Sequence, residues 1–130
     1  MRMSIKCHDG LERHTKLTEK LLAEFQNDIS KLVEKAKAFE PRDYAFYAPQ
    51  IFSALNSGDQ IAKKIVSEEV WNIEKSLLAA GFSPSKPFCL IGGLGKLFLP
   101  HLGEVFQKTV SEPKGDALTG AISIAFKKYT

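Results

Sequence analysis

The sequence contains no apolar run of about 20 residues, which is the length that a membrane-spanning helix requires. Residues 1–6 also lack the apolar core of a secretory signal peptide. Cysteine is scarce, since Cys7 and Cys89 stand alone and far apart, and this excludes a disulfide framework. Because isolated thiols are typical of a reducing compartment, these absences predict a cytoplasmic protein with no membrane partner.

An excess of one charge sign is also missing. The 18 basic and 15 acidic residues give a net charge of +3, and the basic residues are spread among the acidic ones. No basic patch of the kind that binds nucleic-acid phosphates is present, so no nucleic-acid partner is predicted. A length of 130 residues with 44% hydrophobic residues is sufficient for a single domain, residues 1–130.

Familiar catalytic and metal-binding motifs are absent as well. The sequence has no Gly-x-Ser-x-Gly, no Walker loop and no Gly-x-Gly-x-x-Gly. Cys7, His8, Asp9 and His14 have side chains that can bind metals, but their spacing matches no standard zinc site. We therefore assign no catalytic residue and no metal ligand.

Helical periodicity dominates residues 1–81. We expect Thr15 to cap one helix and Asp59 to cap the longest one, which ends near Gly81. In that longest helix the apolar residues recur at helical spacing, with the charged residues largely outside: Ile61, Ile65, Val66, Val70, Ile73, Leu77 and Leu78.

Residues 87–130 change pattern and predict a strand-helix-strand-helix end. A short apolar run at residues 88–91 stops at Gly92 and Gly93, a helical pattern follows, and Thr109 and Val110 favour a second strand. In parallel sheets, ligands bind beyond the carboxyl ends of the strands, which places the glycine pair where a ligand would lie. We expect the last helix to be capped by Asp116.

Two parallel strands do not make a stable sheet, because parallel strands need both faces and both edges covered. Either a partner supplies the remaining strands, or the chain is a piece of something larger. The uncovered edge of the strand at residues 88–91 predicts self-association, so a homo-oligomer is expected.

Three segments, taken in order, resemble a known family. They are residues 44–49 (YAFYAP), residues 56–62 (NSGDQIA), and residues 90–94 (LIGGL) with residues 112–121 (EPKGDALTGA). Their order and spacing resemble the C-terminal part of bacterial glucosamine and N-acetylglucosamine kinases, the BadF/BadG type within the actin-like ATPase superfamily. The resemblance covers nearly the whole chain, and the ROK sugar kinases share some of its features.

The resemblance implies an α/β fold that is mostly helical, a partial actin-like (ribonuclease H-like) C-terminal lobe. In that family a glycine pair after a strand bounds the adenosine side of the nucleotide site, and Gly92, Gly93 and Leu94 match it. The complete enzyme would use ATP with Mg and an amino sugar as its partners. The family's phosphate loops, metal-binding aspartate and catalytic aspartate precede this region and match nothing here, so we expect the lone chain to be inactive.

One alternative function and one hypothesis about the gene accompany this interpretation. The alternative is a non-catalytic helical module that associates with itself or with another protein. Nucleotide affinity would favour the kinase, and a stable oligomer without nucleotide affinity would favour the module.

Residues 1–8 look like the back half of a helix that has no cap of its own. We therefore expect the DNA upstream of Met1 to encode the missing phosphate loops and catalytic aspartate.

Overall fold

The computed structural model describes residues 1–129, with the side chains of residues 1–128, and this part of the chain is mostly helical. The helices are α1 (Arg2–His8), α2 (Lys16–Glu24), α3 (Ile29–Lys37), α4 (Pro41–Ala45), α5 (Ala48–Asn56), α6 (Gln60–Ala79), α7 (Gly95–Phe98), a 3-10 turn (Leu99–His101), α8 (Glu104–Thr109) and α9 (Ala117–Tyr129).

The chain divides into two compact units, and the boundary between them along the sequence lies within α6. Unit 1 is Met1–Asn72, and unit 2 begins at Ile73. The boundary between element types expected after residue 81 lies close to the observed end of α6 at Ala79. The expectation of a single domain stays a prediction.

Unit 1 has a hydrophobic core built from its first and last helices. Met3 and Cys7 of α1 pack against Ile61 of α6, with Leu17 and Ile65 partly buried beside them. Ile61 and Ile65 are four residues apart and so share one face of α6, as the periodicity of the sequence predicted.

Unit 2 buries much less. Among its described residues only Gly95, Leu102 and Phe106 are buried. The ring of Phe82 lies 4.6 Å from that of Phe106 and 5.7 Å from that of Phe88, measured between ring centroids.

The strands expected in unit 2 are not formed within residues 1–129. A single parallel bridge joins Phe88 to Val110, and the Ser111 amide donates a hydrogen bond to the Phe88 carbonyl oxygen at 2.8 Å. The direction and the partners are those expected, but Thr109 ends α8 rather than starting a strand. Because two isolated parallel strands lack the neighbours that stabilise a sheet, the pairing stops at one bridge. The actin-like lobe with its strands is therefore not confirmed, whereas the mostly helical character is.

Candidate functional site

The predicted nucleotide-binding residues form a turn that leads into α7. Gly92 has φ +84°, a left-handed conformation that favours glycine. Its carbonyl oxygen accepts a hydrogen bond from the Gly95 amide at 3.3 Å. Leu94 precedes the first residue of α7, and its carbonyl oxygen accepts bonds from the amides of Leu97 and Phe98, each at 3.0 Å. The glycine pair and Leu94 are thus contiguous, ordered by backbone hydrogen bonds.

The turn is open to solvent. A Cβ added at Gly92 or at Gly93 would meet no atom within 4 Å, and Leu94 is 39% exposed. Backbone atoms of the turn are therefore accessible to a flat ligand. Whether a nucleotide binds there stays a prediction.

Gly95 has a structural role that the sequence analysis did not assign. A Cβ at this position would lie 3.0 Å from the Leu90 Cβ and 3.3 Å from the Leu90 carbonyl carbon. The close approach between backbones therefore occurs at Gly95, two residues after Gly93. The third glycine of the Gly92-Gly93-Leu94-Gly95 run was the available signal.

The most connected polar side chain of unit 1 is Asp59. Its Oδ1 accepts hydrogen bonds from the amides of Ile61 and Ala62 at 3.0 and 3.1 Å, which caps α6 as expected. The same oxygen accepts the Thr15 hydroxyl at 3.0 Å, and Oδ2 accepts the Leu17 amide at 3.3 Å. One carboxylate therefore holds the starts of both α2 and α6.

These bonds control the ionisation of Asp59. Partial burial alone would raise its pKa, but the bonds from Ala62, Thr15, Leu17 and Ile61 stabilise the carboxylate and hold the pKa below its usual value. Both oxygens are occupied by donors of the chain itself. Asp59 is therefore a structural cap rather than a catalytic base.

An open cleft of about 700 Å³ lies beside this cap. It is lined by residues of α2, of α5 and of the turn between α5 and α6, including Lys16, Lys20 and Gln50. The motif at residues 56–62 runs along this cleft and supplies Asp59. In the structure, this motif fixes the starts of α2 and α6 through Asp59.

The motif at residues 44–49 is likewise tied into unit 1. The Tyr44 hydroxyl donates to the Ala36 carbonyl oxygen at 2.7 Å, and the Tyr47 hydroxyl donates to Glu24 Oε2 at 3.2 Å. Partial burial and the Glu24 charge both raise the pKa of Tyr47. The two tyrosines thus anchor α4 and the start of α5 to α3 and α2.

The side chains at residues 7–14 do not assemble a metal site in the part of the chain described. Cys7 is buried, and its Sγ donates to the Arg13 carbonyl oxygen at 3.4 Å. Throughout residues 1–129 no group of three or more His, Cys, Asp or Glu side chains lies close enough to hold an ion. Over the same residues, no helix has both the length and the apolar character needed to cross a membrane.

Comparison with known proteins shows a similarity that extends over nearly the whole chain. No family model matches the chain, and no solved structure matches it. A curated relative, the glucosamine kinase GspK of Vibrio cholerae serotype O1, is 32% identical over 119 residues. The match covers 92% of this chain but 40% of the relative, so the chain spans well under half of that protein's length. The predicted resemblance is confirmed: the chain is similar over nearly all its length to a bacterial glucosamine kinase, as a C-terminal fragment of a sugar kinase would be.

Proposed function

We propose that the chain is the nucleotide-side, C-terminal lobe of an ATP-dependent amino-sugar kinase of the BadF/BadG type. In the complete enzyme it would help to convert ATP and glucosamine or N-acetylglucosamine to ADP and the sugar 6-phosphate in the cytoplasm. The observation that carries the proposal is the similarity to a glucosamine kinase across 92% of the chain.

The proposed nucleotide contact is the turn Gly92-Gly93-Leu94. Two of the three glycines near this turn have a structural reason, because Gly92 needs its φ of +84° and Gly95 lies against Leu90. Gly93 has neither reason, since its φ is not left-handed and the space around it is open. A glycine that the fold does not require, on an accessible turn, is consistent with backbone that faces a ligand.

The remaining parts of the chemistry would come from the rest of the kinase. Phosphoryl transfer depends on positioning the phosphates and on stabilising their charge with Mg and fixed donors. The described residues include no group of three or more His, Cys, Asp or Glu side chains that could hold an ion, and the sequence has no glycine-rich phosphate loop. We therefore assign to this lobe the adenosine side of the site, and no catalytic residue.

Calorimetric titration of ATP into the 130-residue chain tests this proposal. Gly93→Val adds a branched side chain to open space, so it leaves the fold intact but should weaken ATP binding about tenfold, equivalent to about 1.4 kcal/mol. Gly120→Val is the matched control, because a Cβ there also meets nothing within 4 Å and the residue lies outside the turn. Equal ATP affinities in all three proteins would reduce the Gly92-Gly93 pair to a structural turn.

A non-catalytic self-association or protein-interaction module is the second candidate function. The apolar surface of unit 2 favours it: Ile91 is 79% exposed, and Leu118 and Ile124 are each 68% exposed. Large exposed apolar areas are typical of interaction sites. A stable homo-oligomer in light scattering, together with no ATP affinity in the titration above, would select this function over the kinase lobe.

A further inference from the structure

The last helix, α9, is apolar and uncovered. All of its described side chains are exposed, including Leu118 at 68%, Ile122 at 47% and Ile124 at 68%. The helix itself is well started, because Asp116 Oδ1 accepts both the Thr119 amide and the Thr119 hydroxyl at 2.7 Å. A capped helix is therefore present in which Leu118, Ile122 and Ile124 are not part of the core of unit 2.

The apolar residues are not confined to one side of α9. Successive helical residues are rotated by about 100°, so Leu118 and Ile122 share a face while Ile124 lies on another. A helix that is hydrophobic on several sides is one that is buried in its functional state. Gly120 adds a place where a neighbouring element could approach closely, since the space beside it is open.

We infer that, in the complete amino-sugar kinase, α9 is buried on two faces by another part of the enzyme. That part corresponds to the residues of the relative that lie outside the 119 matched residues. This inference rests on the proposed function. The relative is much longer than the match, which covers 40% of it, and so has ample chain to supply such a partner surface. A second copy of this chain is the other possible occupant, and the experiment below distinguishes it.

The test is cysteine labelling of α9 in the presence and absence of that partner. In a Cys89→Ser background, which leaves only the buried Cys7, single cysteines are introduced as Ile122→Cys and Ile124→Cys. Leu11→Cys is the matched control, since Leu11 is 72% exposed and lies in unit 1. The partner probe is the segment of the Vibrio cholerae glucosamine kinase outside the matched residues, produced as a separate polypeptide.

We expect maleimide labelling at both α9 positions to slow about tenfold or more when the probe is in excess, because burial restricts access to the thiol. Labelling at Leu11→Cys should not change. If the separate segment does not fold, the same rates are measured in a chimeric kinase that carries this chain in place of the matched residues, with folding checked by circular dichroism.

Unprotected α9 cysteines in both formats would overturn the inference. So would a dimer of the chain alone in which both positions are already protected, because a second copy would then be the occupant. The labelling contains no nucleotide, so its outcome is separable from the ATP titration. Protection of the cysteines without ATP affinity would support burial of α9 and contradict the nucleotide site. ATP affinity without protection would support the nucleotide site and contradict burial of α9.

Discussion

Asp59 shows how much one side chain can organise in this chain. Its two carboxylate oxygens accept four hydrogen bonds, and the donors belong to the starts of α2 and α6. Asp28 provides a natural comparison, because it caps α3 alone by accepting the amides of Ser30 and Lys31. The two residues have the same chemistry and differ in how many helices they hold.

We predict that Asp59→Ala lowers the free energy of unfolding at pH 7 by about 2 kcal/mol and Asp28→Ala by about 1 kcal/mol, within the range for lost N-caps. The reason is that Asp59→Ala uncaps α6 and also removes the bonds from Thr15 and Leu17 at the start of α2, whereas Asp28→Ala uncaps α3 alone. Urea unfolding followed by circular dichroism measures both. Equal losses would mean that the bonds from Thr15 and Leu17 to Asp59 contribute little.

The stability difference between the wild type and Asp59→Ala should also depend on pH. Because the folded pKa of Asp59 lies below its ordinary value of 3.8, its stabilisation is fully present above that value. It is lost as the pH falls through the lower folded pKa, where the carboxylate takes up a proton. The stability gap between the wild type and Asp59→Ala should therefore close below about pH 3.8 and stay constant between pH 5 and 7. A gap that is unchanged at pH 3 would contradict the assignment.

At the scale of elements, the sequence predicted helices well and strands poorly. The caps at Asp59 and Asp116 and the burial of Ile61 and Val66 in α6 depend on residues close in sequence, so local patterns were sufficient. The far end of the same apolar pattern is not buried, since Leu78 is 60% exposed. Sheet formation depends on neighbouring strands, and the run at residues 88–91 has none beyond the bridge to Val110. A short apolar run forms a strand only when other strands are present to pair with it.

The candidate site was predictable only in part for a similar reason. The left-handed conformation of Gly92 follows from a glycine at the end of an apolar run. The contact between Gly95 and Leu90 depends on how the chain turns in space, and no local pattern specifies it. No close contact accounts for the glycine at position 120, because a Cβ added there would meet no atom within 4 Å.

At the scale of the whole molecule, the two units differ in how far each one completes its own core. Unit 1 buries residues from α1, α2, α3, α5 and α6, whereas the described part of unit 2 buries Gly95, Leu102 and Phe106. Burial of apolar surface contributes about 25 cal/mol per Å², so unit 2 gains much less from it. This contrast is what a piece of a larger protein would show if its missing contacts belonged mainly to unit 2.

We predict that the pure 130-residue protein catalyses no sugar-dependent hydrolysis or transfer from ATP. Its sequence matches neither the phosphate loops nor the catalytic aspartate of the resembling family, and these supply most of the barrier lowering. A coupled ADP-release assay with glucosamine and N-acetylglucosamine measures this, with the full-length Vibrio cholerae kinase as the positive control. Sugar-dependent turnover by the chain alone would show that the chain itself supplies the catalytic groups.

The double cap at Asp59 also has a consequence for the order of folding events. Its bonds to Ile61 and Ala62 are local, but those to Thr15 and Leu17 join residues 44 and 42 positions apart. Closing so long a loop costs chain entropy before the contact can compensate, so the bond between α2 and α6 should form after the transition state. Thr15→Val should then accelerate unfolding in stopped-flow experiments and leave the folding rate almost unchanged. Slower folding with unchanged unfolding would instead place this contact in the folding nucleus. On the expected outcome, the cap controls how long unit 1 stays folded rather than how quickly it forms.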